Sequence, residues 1–253
     1  MFKQSDVCHL ACECGKIAGL PFVRENEEHI FCGVSRIDID NEGSKLVGRP
    51  AGRYVSVAFG NLSELCEDAF CEITEKTAAE LEALVARFGK EQPKILVAGL
   101  GNREITHDSL GARVCAALEP DENLAVFEVG VSGKSGIESA EIIKSVADCC
   151  GAELVIAVDS FAALGEERVG RVIQLSDGGI APGSGVGKDV AAVGSETVGV
   201  PIISVGVPTA LVDEKLRARG YLSVGEDVLT VCQKAADIIS KSIKELSKNL
   251  NRN

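Results

Sequence analysis

Two kinds of apolar pattern alternate along this chain. Unbroken apolar runs at residues 95–98 and 154–158 have the character of strands buried on both faces of a parallel sheet. Apolar residues recurring every three or four positions mark helices. The first such series is Leu62, Leu65, Cys66, Ala69, Phe70 and Ile73, continued by Leu81, Leu84, Val85 and Phe88. Thr77 and Glu80 stand within it at capping-box spacing, so the pattern fits one long bent helix or two consecutive ones. Shorter series follow at Leu110, Val114, Ala117 and Leu118, then at Ile142, Ile143, Val146 and Ala147. The last runs from Val228 through Val231, Cys232, Ala235, Ile238, Ile239 and Ile243 to Leu246. Ser223 and Glu226 repeat the capping-box spacing ahead of it, and Lys241, Lys244 and Lys248 sit where the helix dipole favours cations.

Alternation at residues 30–38 and 54–59 predicts two strands that pair antiparallel at a sheet edge, joined by a Gly- and Pro-rich loop. Further strands are expected at 124–129, 169–175 and 201–207, with turns at 130–136 and at Pro208 and a helical turn at 195–198. The strand at 169–175 is expected to run antiparallel, because its connection from Asp159 is short for a crossover helix. The order predicts a three-layer α/β/α fold with a mostly parallel central sheet and an antiparallel N-terminal edge. One domain is expected over residues 30–253, preceded by residues 1–29 as an arm or pro-segment.

Composition narrows the class. At 253 residues, with 45% hydrophobic and 25% charged positions, the chain can bury a substantial core and is not of the disordered type. A net charge of -12 leaves no electrostatic footprint for a phosphate backbone, so no direct nucleic-acid partner is expected. No apolar run approaches the roughly 20 residues that span a bilayer, and the N-terminus lacks a signal-peptide layout, so a cytoplasmic protein with no membrane partner is expected. The ten cysteines are scattered in the manner of reduced thiols. Only Cys8, Cys12 and Cys14, beside His9, cluster enough to suggest a metal, and no CxxC pair supports one there.

The candidate chemistry gathers where apolar runs end. Gly99 and Gly101 break the run at 95–98 and allow a tight turn, after which Asp108 precedes a helix; Asp159 follows the run at 154–158. Two carboxylates at one partly dry rim cannot both ionise cheaply, so one can activate water while the other donates a proton. The same positions also suit simple helix and turn caps. The glycine-dense loop at 176–189 resembles a phosphate loop only in part, since Pro182 and Asp189 occupy the positions that need glycine and a hydroxyl. His107 reads as an exposed loop residue.

Beyond spacing, several blocks stand together. Residues 176–213 hold the glycine loop, Glu196-Thr197-Val198-Gly199-Val200-Pro201 and Gly206-Val207-Pro208-Thr209. Upstream lie Ile37-Asp38-Ile39, Gly48-Arg49-Pro50-Ala51-Gly52-Arg53-Tyr54, Gly99-Leu100-Gly101-Asn102, Thr106 and Asp108-Ser109-Leu110-Gly111. Together these resemble the spore germination protease family, endopeptidases that degrade small acid-soluble spore proteins and whose fold is related to that of hydrogenase maturation proteases. The resemblance implies an aspartic-type endopeptidase of the spore core, made as a zymogen and assembled as a homo-oligomer, with Asp108 and Asp159 as the catalytic pair. Asn102, Asp177, Gly183, Ser184 and Gly185 are expected to position substrate, partly through backbone N–H groups.

Ser109 stands where the hydrogenase maturation proteases carry a metal-binding glutamate, so no metal and no cofactor are expected. Departures from the family pattern are His107 in place of a common proline, Gln4-Ser5-Asp6-Val7 near the processing region, and a short segment between Thr209 and Ser223. They keep two rivals open: a catalytically idle relative that binds a spore protein or sister subunit, and a metal-dependent maturation protease.

Overall fold

The two central strands show no apolar–polar alternation because both of their faces are covered. In the computed structural model, which describes residues 23–47, 49–180, 192–212 and 222–250, strand β4 (Ile95–Leu100) sends Ile95 and Val97 into one core and Leu96, Ala98 and Leu100 into the other. Strand β6 (Leu154–Ala163) divides the same way, with Leu154, Ile156 and Val158 against Val155, Ala157 and Phe161. The period of two that a strand imposes on its side chains thus splits one apolar run between two layers.

The remaining elements are β1 (Val23–Glu28), β2 (Cys32–Ile39), α1 (Asn41–Val47), β3 (Gly52–Phe59), α2 (Glu67–Ala86), α3 (Leu110–Ala117), β5 (Leu124–Gly130) and α4 (Ser132–Ser135). They continue with α5 (Ser139–Cys150), β7 (Val172–Ser176), α6 (Ser195–Val198), β8 (Ile202–Val212), β9 (Leu222–Ser223) and α7 (Val228–Leu250). Among the described residues the sheet has nine strands in the order β1-β2-β3-β7-β8-β6-β4-β5, with β9 on the end of β8. Strands β8, β6, β4 and β5 are mutually parallel; β7, β3, β2 and β1 extend the sheet antiparallel. Helices α2, α3 and α7 cover one face, and α5 with α6 covers the other, giving the expected α/β/α layers.

Several boundaries differ from expectation, each for a local reason. Strands β2 and β3 pair antiparallel from Cys32 against Phe59 to Ile39 against Gly52, but β1 occupies the edge outside them. The sheet therefore begins at Val23 rather than at Ile30; β1 is VRENEE, polar enough to read as an arm, and backbone pairing rather than burial holds it. Helix α2 is continuous. Thr77 lies in its interior, donating its hydroxyl to the Ile73 carbonyl (2.7 Å), and Glu80 turns to β2 instead. Strand β6 runs on past Asp159, and β8 passes through Pro208 without a turn. Ser223 pairs with Leu211 in β9, so no capping box forms ahead of α7. The cluster of Cys8, His9, Cys12 and Cys14 lies outside the described residues. Among the described residues, no helix is long and apolar enough to cross a membrane.

Glu80 is 7% exposed, and its carboxylate is held by Arg36, whose Nε donates to both of its oxygens (3.2 and 3.0 Å). This pair holds α2 against β2. Removing one partner strands a buried charge, so Arg36→Met is expected to lower unfolding stability by about 3 kcal/mol in urea titrations. A midpoint equal to the parent's would show that the pair is only a surface contact.

Candidate active site

Strand β4 ends at Leu100, and the chain then folds back on itself. Gly101 has φ +89°, and a Cβ there would lie 2.2 Å from the Asp108 carbonyl, so only glycine fits this turn. Asn102 follows. Its side-chain oxygen accepts the Glu104 N–H (3.1 Å), which shapes the loop, and its own N–H donates to Oδ2 of Asp108 (2.8 Å). Residues Thr106–Asp108 form one turn of 3-10 helix, and α3 starts immediately after it.

That turn is tied down from three sides. The Ser109 hydroxyl donates to the Thr106 carbonyl (2.7 Å) and accepts from Nε of Arg113 (2.8 Å). Cys232 of α7 donates its thiol to the same Thr106 carbonyl (3.2 Å), and Thr209 of β8 donates its hydroxyl to the His107 carbonyl (2.5 Å). The loop that looked merely polar in sequence is thus fixed by a strand and a helix more than a hundred residues away. Ser109, at the position of the hydrogenase maturation proteases' glutamate, thus locks the turn.

Asp159 lies within β6, paired with Gly206 of β8, and is 4% exposed. It does not end its strand as expected, because the apolar run resumes at Phe161 and the strand continues. Its Oδ1 accepts the N–H of Ser160 (2.8 Å). Burial pushes its carboxyl well above the usual carboxylate range, and the charge of Asp108 adds to that; the Ser160 N–H acts in the opposite direction. The two aspartates expected to work together are therefore brought within electrostatic reach, one buried and one at the partly open turn. Burial also pushes the neighbouring Cys232 thiol up to about 11, with Arg113 opposing and Asp108 reinforcing.

The other expected residues are distributed differently. Asp177 follows β7, whose Ser176 pairs with Ser204, whereas Asp159 pairs with Gly206, nearer the carboxyl end of β8. Asp177 thus sits toward the amino end of the parallel strands, away from the pair. Its oxygens are occupied by the Arg53 N–H (2.5 Å) and Nε of Arg87 (2.7 Å), a clamp between β3, β7 and the end of α2. Gly183, Ser184 and Gly185 lie outside the described residues. The flanks of their loop are joined by two backbone hydrogen bonds between Ile180 and Val193 (2.9 and 2.7 Å), and Ser204 of β8 donates to the Gly179 carbonyl (3.3 Å). His107 contributes its carbonyl to the turn. Among the described residues, no three His, Cys, Asp or Glu side chains group as metal ligands would.

Thr209 and Cys232 were not singled out as site residues. A cue existed for the first: Pro208 interrupts an apolar strand pattern, and proline inside a strand marks a bulge or an edge. Cys232 gave none, since its spacing is that of a core residue.

The germination protease family model matches residues 11–217. The germination protease of Caldanaerobacter subterraneus subsp. tengcongensis is 33% identical over 255 residues, covering 94% of this chain and 71% of that protein. The Bacillus subtilis germination protease is 35% identical over 209 residues, covering 75% of this chain. The chain spans 56% of the Bacillus subtilis protein's length and 59% of that of a Clostridium perfringens relative. Among solved structures, the hydrogenase maturation protease HycI from Thermococcus kodakarensis aligns at TM-score 0.38 and 19% identity, covering 60% of this chain and 93% of that one. On the match of the family model across most of its length, this chain belongs to the germination protease family of peptidases.

Proposed function

We propose that this chain is an endopeptidase that cleaves small acid-soluble spore proteins during germination, in the spore core, with Asp108 and Asp159 as a proton-sharing pair. The observation that carries the reading is Asp159 buried in mid-strand, with the charge of Asp108 acting to raise its carboxyl. Like charges that act on one another favour a state with one proton between them, and the buried Asp159 would be the one to keep it.

In this mechanism ionised Asp108 takes a proton from water as the water oxygen bonds to the scissile carbonyl carbon. Asp159 gives its proton to the carbonyl oxygen, which becomes a hydroxyl. Asp108 then protonates the amide nitrogen, the C–N bond breaks, and the hydroxyl proton returns to Asp159 as the new carboxyl group forms. Asn102 would orient the substrate: its backbone N–H holds Asp108, while its side-chain Nδ2 has no partner among the described residues. Gly183, Ser184 and Gly185 would present backbone N–H groups to the peptide. A homo-oligomer derived from a zymogen completes the proposal.

Purified chain incubated with a small acid-soluble spore protein is expected to yield discrete fragments by mass spectrometry, and Asp108→Asn is expected to yield none. Intact substrate with the parent chain would favour the idle, binding-only relative. Fragments at the parent rate with Asp108→Asn would remove the pair from the mechanism.

A further inference from the structure

One strand touches both halves of the aspartate pair. Strand β8 lies beside β6 in parallel register, with Asp159 opposite Gly206, Ser160 opposite Val207 and Phe161 opposite Pro208. The register then shifts: Ala162 faces Ala210, leaving Thr209 as an extra residue without a partner in β6. A bulge of this kind turns a side chain out of its regular direction, and proline, with no N–H to give, is the residue that tolerates the break beside it. The re-aimed Thr209 is 1% exposed, and its hydroxyl meets the His107 carbonyl at 2.5 Å.

The carbonyl it meets belongs to the peptide unit that enters Asp108. The other end of the same unit, the Asp108 N–H, donates to the Ile105 carbonyl (2.9 Å). With both ends held, the peptide unit is fixed in place, and with it the stretch of backbone from which the Asp108 side chain extends. Neither Ser109 nor Cys232 supplies this restraint, since both bond to the Thr106 carbonyl one unit earlier.

We propose that the Thr209 hydroxyl is a positioning group for peptide cleavage, setting the approach of Asp108 to Asp159 through the His107–Asp108 peptide unit. The proposal rests on the aspartate pair being the catalytic centre. It makes β8 the common ruler of the site: Gly206 sits beside one carboxylate, and Thr209, three residues on, holds the turn that carries the other.

The test uses the full chain with a purified small acid-soluble spore protein, comparing parent, Thr209→Val, Thr209→Ser and Asp159→Asn. Valine keeps the shape and removes the donor. Displacement of a catalytic group by about 1 Å can cost on the order of 100-fold in rate, so Thr209→Val is expected to lose about 10- to 100-fold in kcat with KM nearly unchanged. Its pH profile is also expected to move. The ionisable group that acts on Asp159 is Asp108 on the turn; Asp108 acts in turn on Cys232 of α7, where Arg113 of α3 opposes it. An Asp108 held less closely raises the Asp159 carboxyl less, so activity should fall away at a lower pH on the alkaline side.

Thr209→Ser should restore both kcat and the profile. A cavity of about 150 Å³ borders Thr209, and Thr209→Ser keeps the hydroxyl while removing only a methyl group. If the valine variant does not fold, Thr209→Ala against Thr209→Ser makes the same comparison. Parent-like kcat and pH profile in the variant lacking the hydroxyl, or equal loss in the serine variant, would overturn the positioning role. An active Asp159→Asn would instead overturn the pair itself; an inactive Asp159→Asn beside an unaffected Thr209→Val isolates the failure to Thr209.

Discussion

Asp159→Asn is expected to lose at least about a thousandfold in kcat while becoming more stable than the parent at neutral pH. The first effect follows from general acid catalysis, which contributes about 10²- to 10⁴-fold: asparagine cannot donate the proton that the carbonyl oxygen needs. The second follows from the direction of the pKa shift. In the unfolded chain this carboxyl titrates near the ordinary value of 3.8, whereas burial and the Asp108 charge hold it well above that in the fold. Between those two values the native state binds more protons than the unfolded one, so stability falls as pH rises. The favourable contribution of the protonated carboxyl is complete below about 3.8 and is lost as pH climbs through the raised value.

Each pH unit within that window costs about 1.4 kcal/mol. Asparagine is neutral in both states and removes this slope. Calorimetric Tm measured from pH 4 to 8 should therefore decline in the parent and stay flatter in the variant, with the curves diverging upward in pH. Parallel curves would mean that Asp159 ionises normally, and the proton-sharing reading would lose its basis. Stability given up at a site in exchange for activity is a common pattern.

Gly111→Ala carries the second large effect. The first turn of α3 lies so close to the sheet that a Cβ at Gly111 would stand 2.3 Å from the Leu100 carbonyl oxygen, 2.5 Å from the Leu100 nitrogen and 2.7 Å from the Val158 carbonyl oxygen. All three are backbone atoms of β4 and β6, so none can rotate aside. The helix must lift or the strands must part, at a cost of about 3 kcal/mol, and the turn bearing Asp108 moves with the helix. Urea unfolding should report the loss of stability, and the peptide assay a fall in kcat exceeding the fraction unfolded. Gly133→Ala is the control: nothing lies within 4 Å of a Cβ there, so a change within about 0.5 kcal/mol is expected. Equal midpoints for the two variants would contradict the close approach of α3.

The parts of this molecule that depend on neighbours in sequence were readable from the chain. The apolar runs of β4 and β6, the stripes of α2, α3, α5 and α7 and the glycine turn ahead of Asp108 each follow from local periodicity, and each forms close to where it was expected. What was misread involved partners far along the chain. Strand β1 has no apolar face and exists because β2 offers it a backbone edge. Thr77 and Glu80 had the spacing of a cap, but Arg36 claims Glu80 from β2. Asp177 was grouped with the glycine loop that follows it, yet strand direction carries it away from the pair and its carboxylate is held by Arg53 and Arg87.

The sequence by itself determined which stretches are strands and helices and which two aspartates were candidates, because hydrophobic period and residue type act over a few positions. Only the tertiary structure decided that Asp159 is buried in mid-strand, that the Asp108 charge reaches it, and that Thr209 and Cys232 hold the intervening turn. Those outcomes depend on strand register and on a single-residue bulge, where a slip of one position turns every side chain to the opposite face.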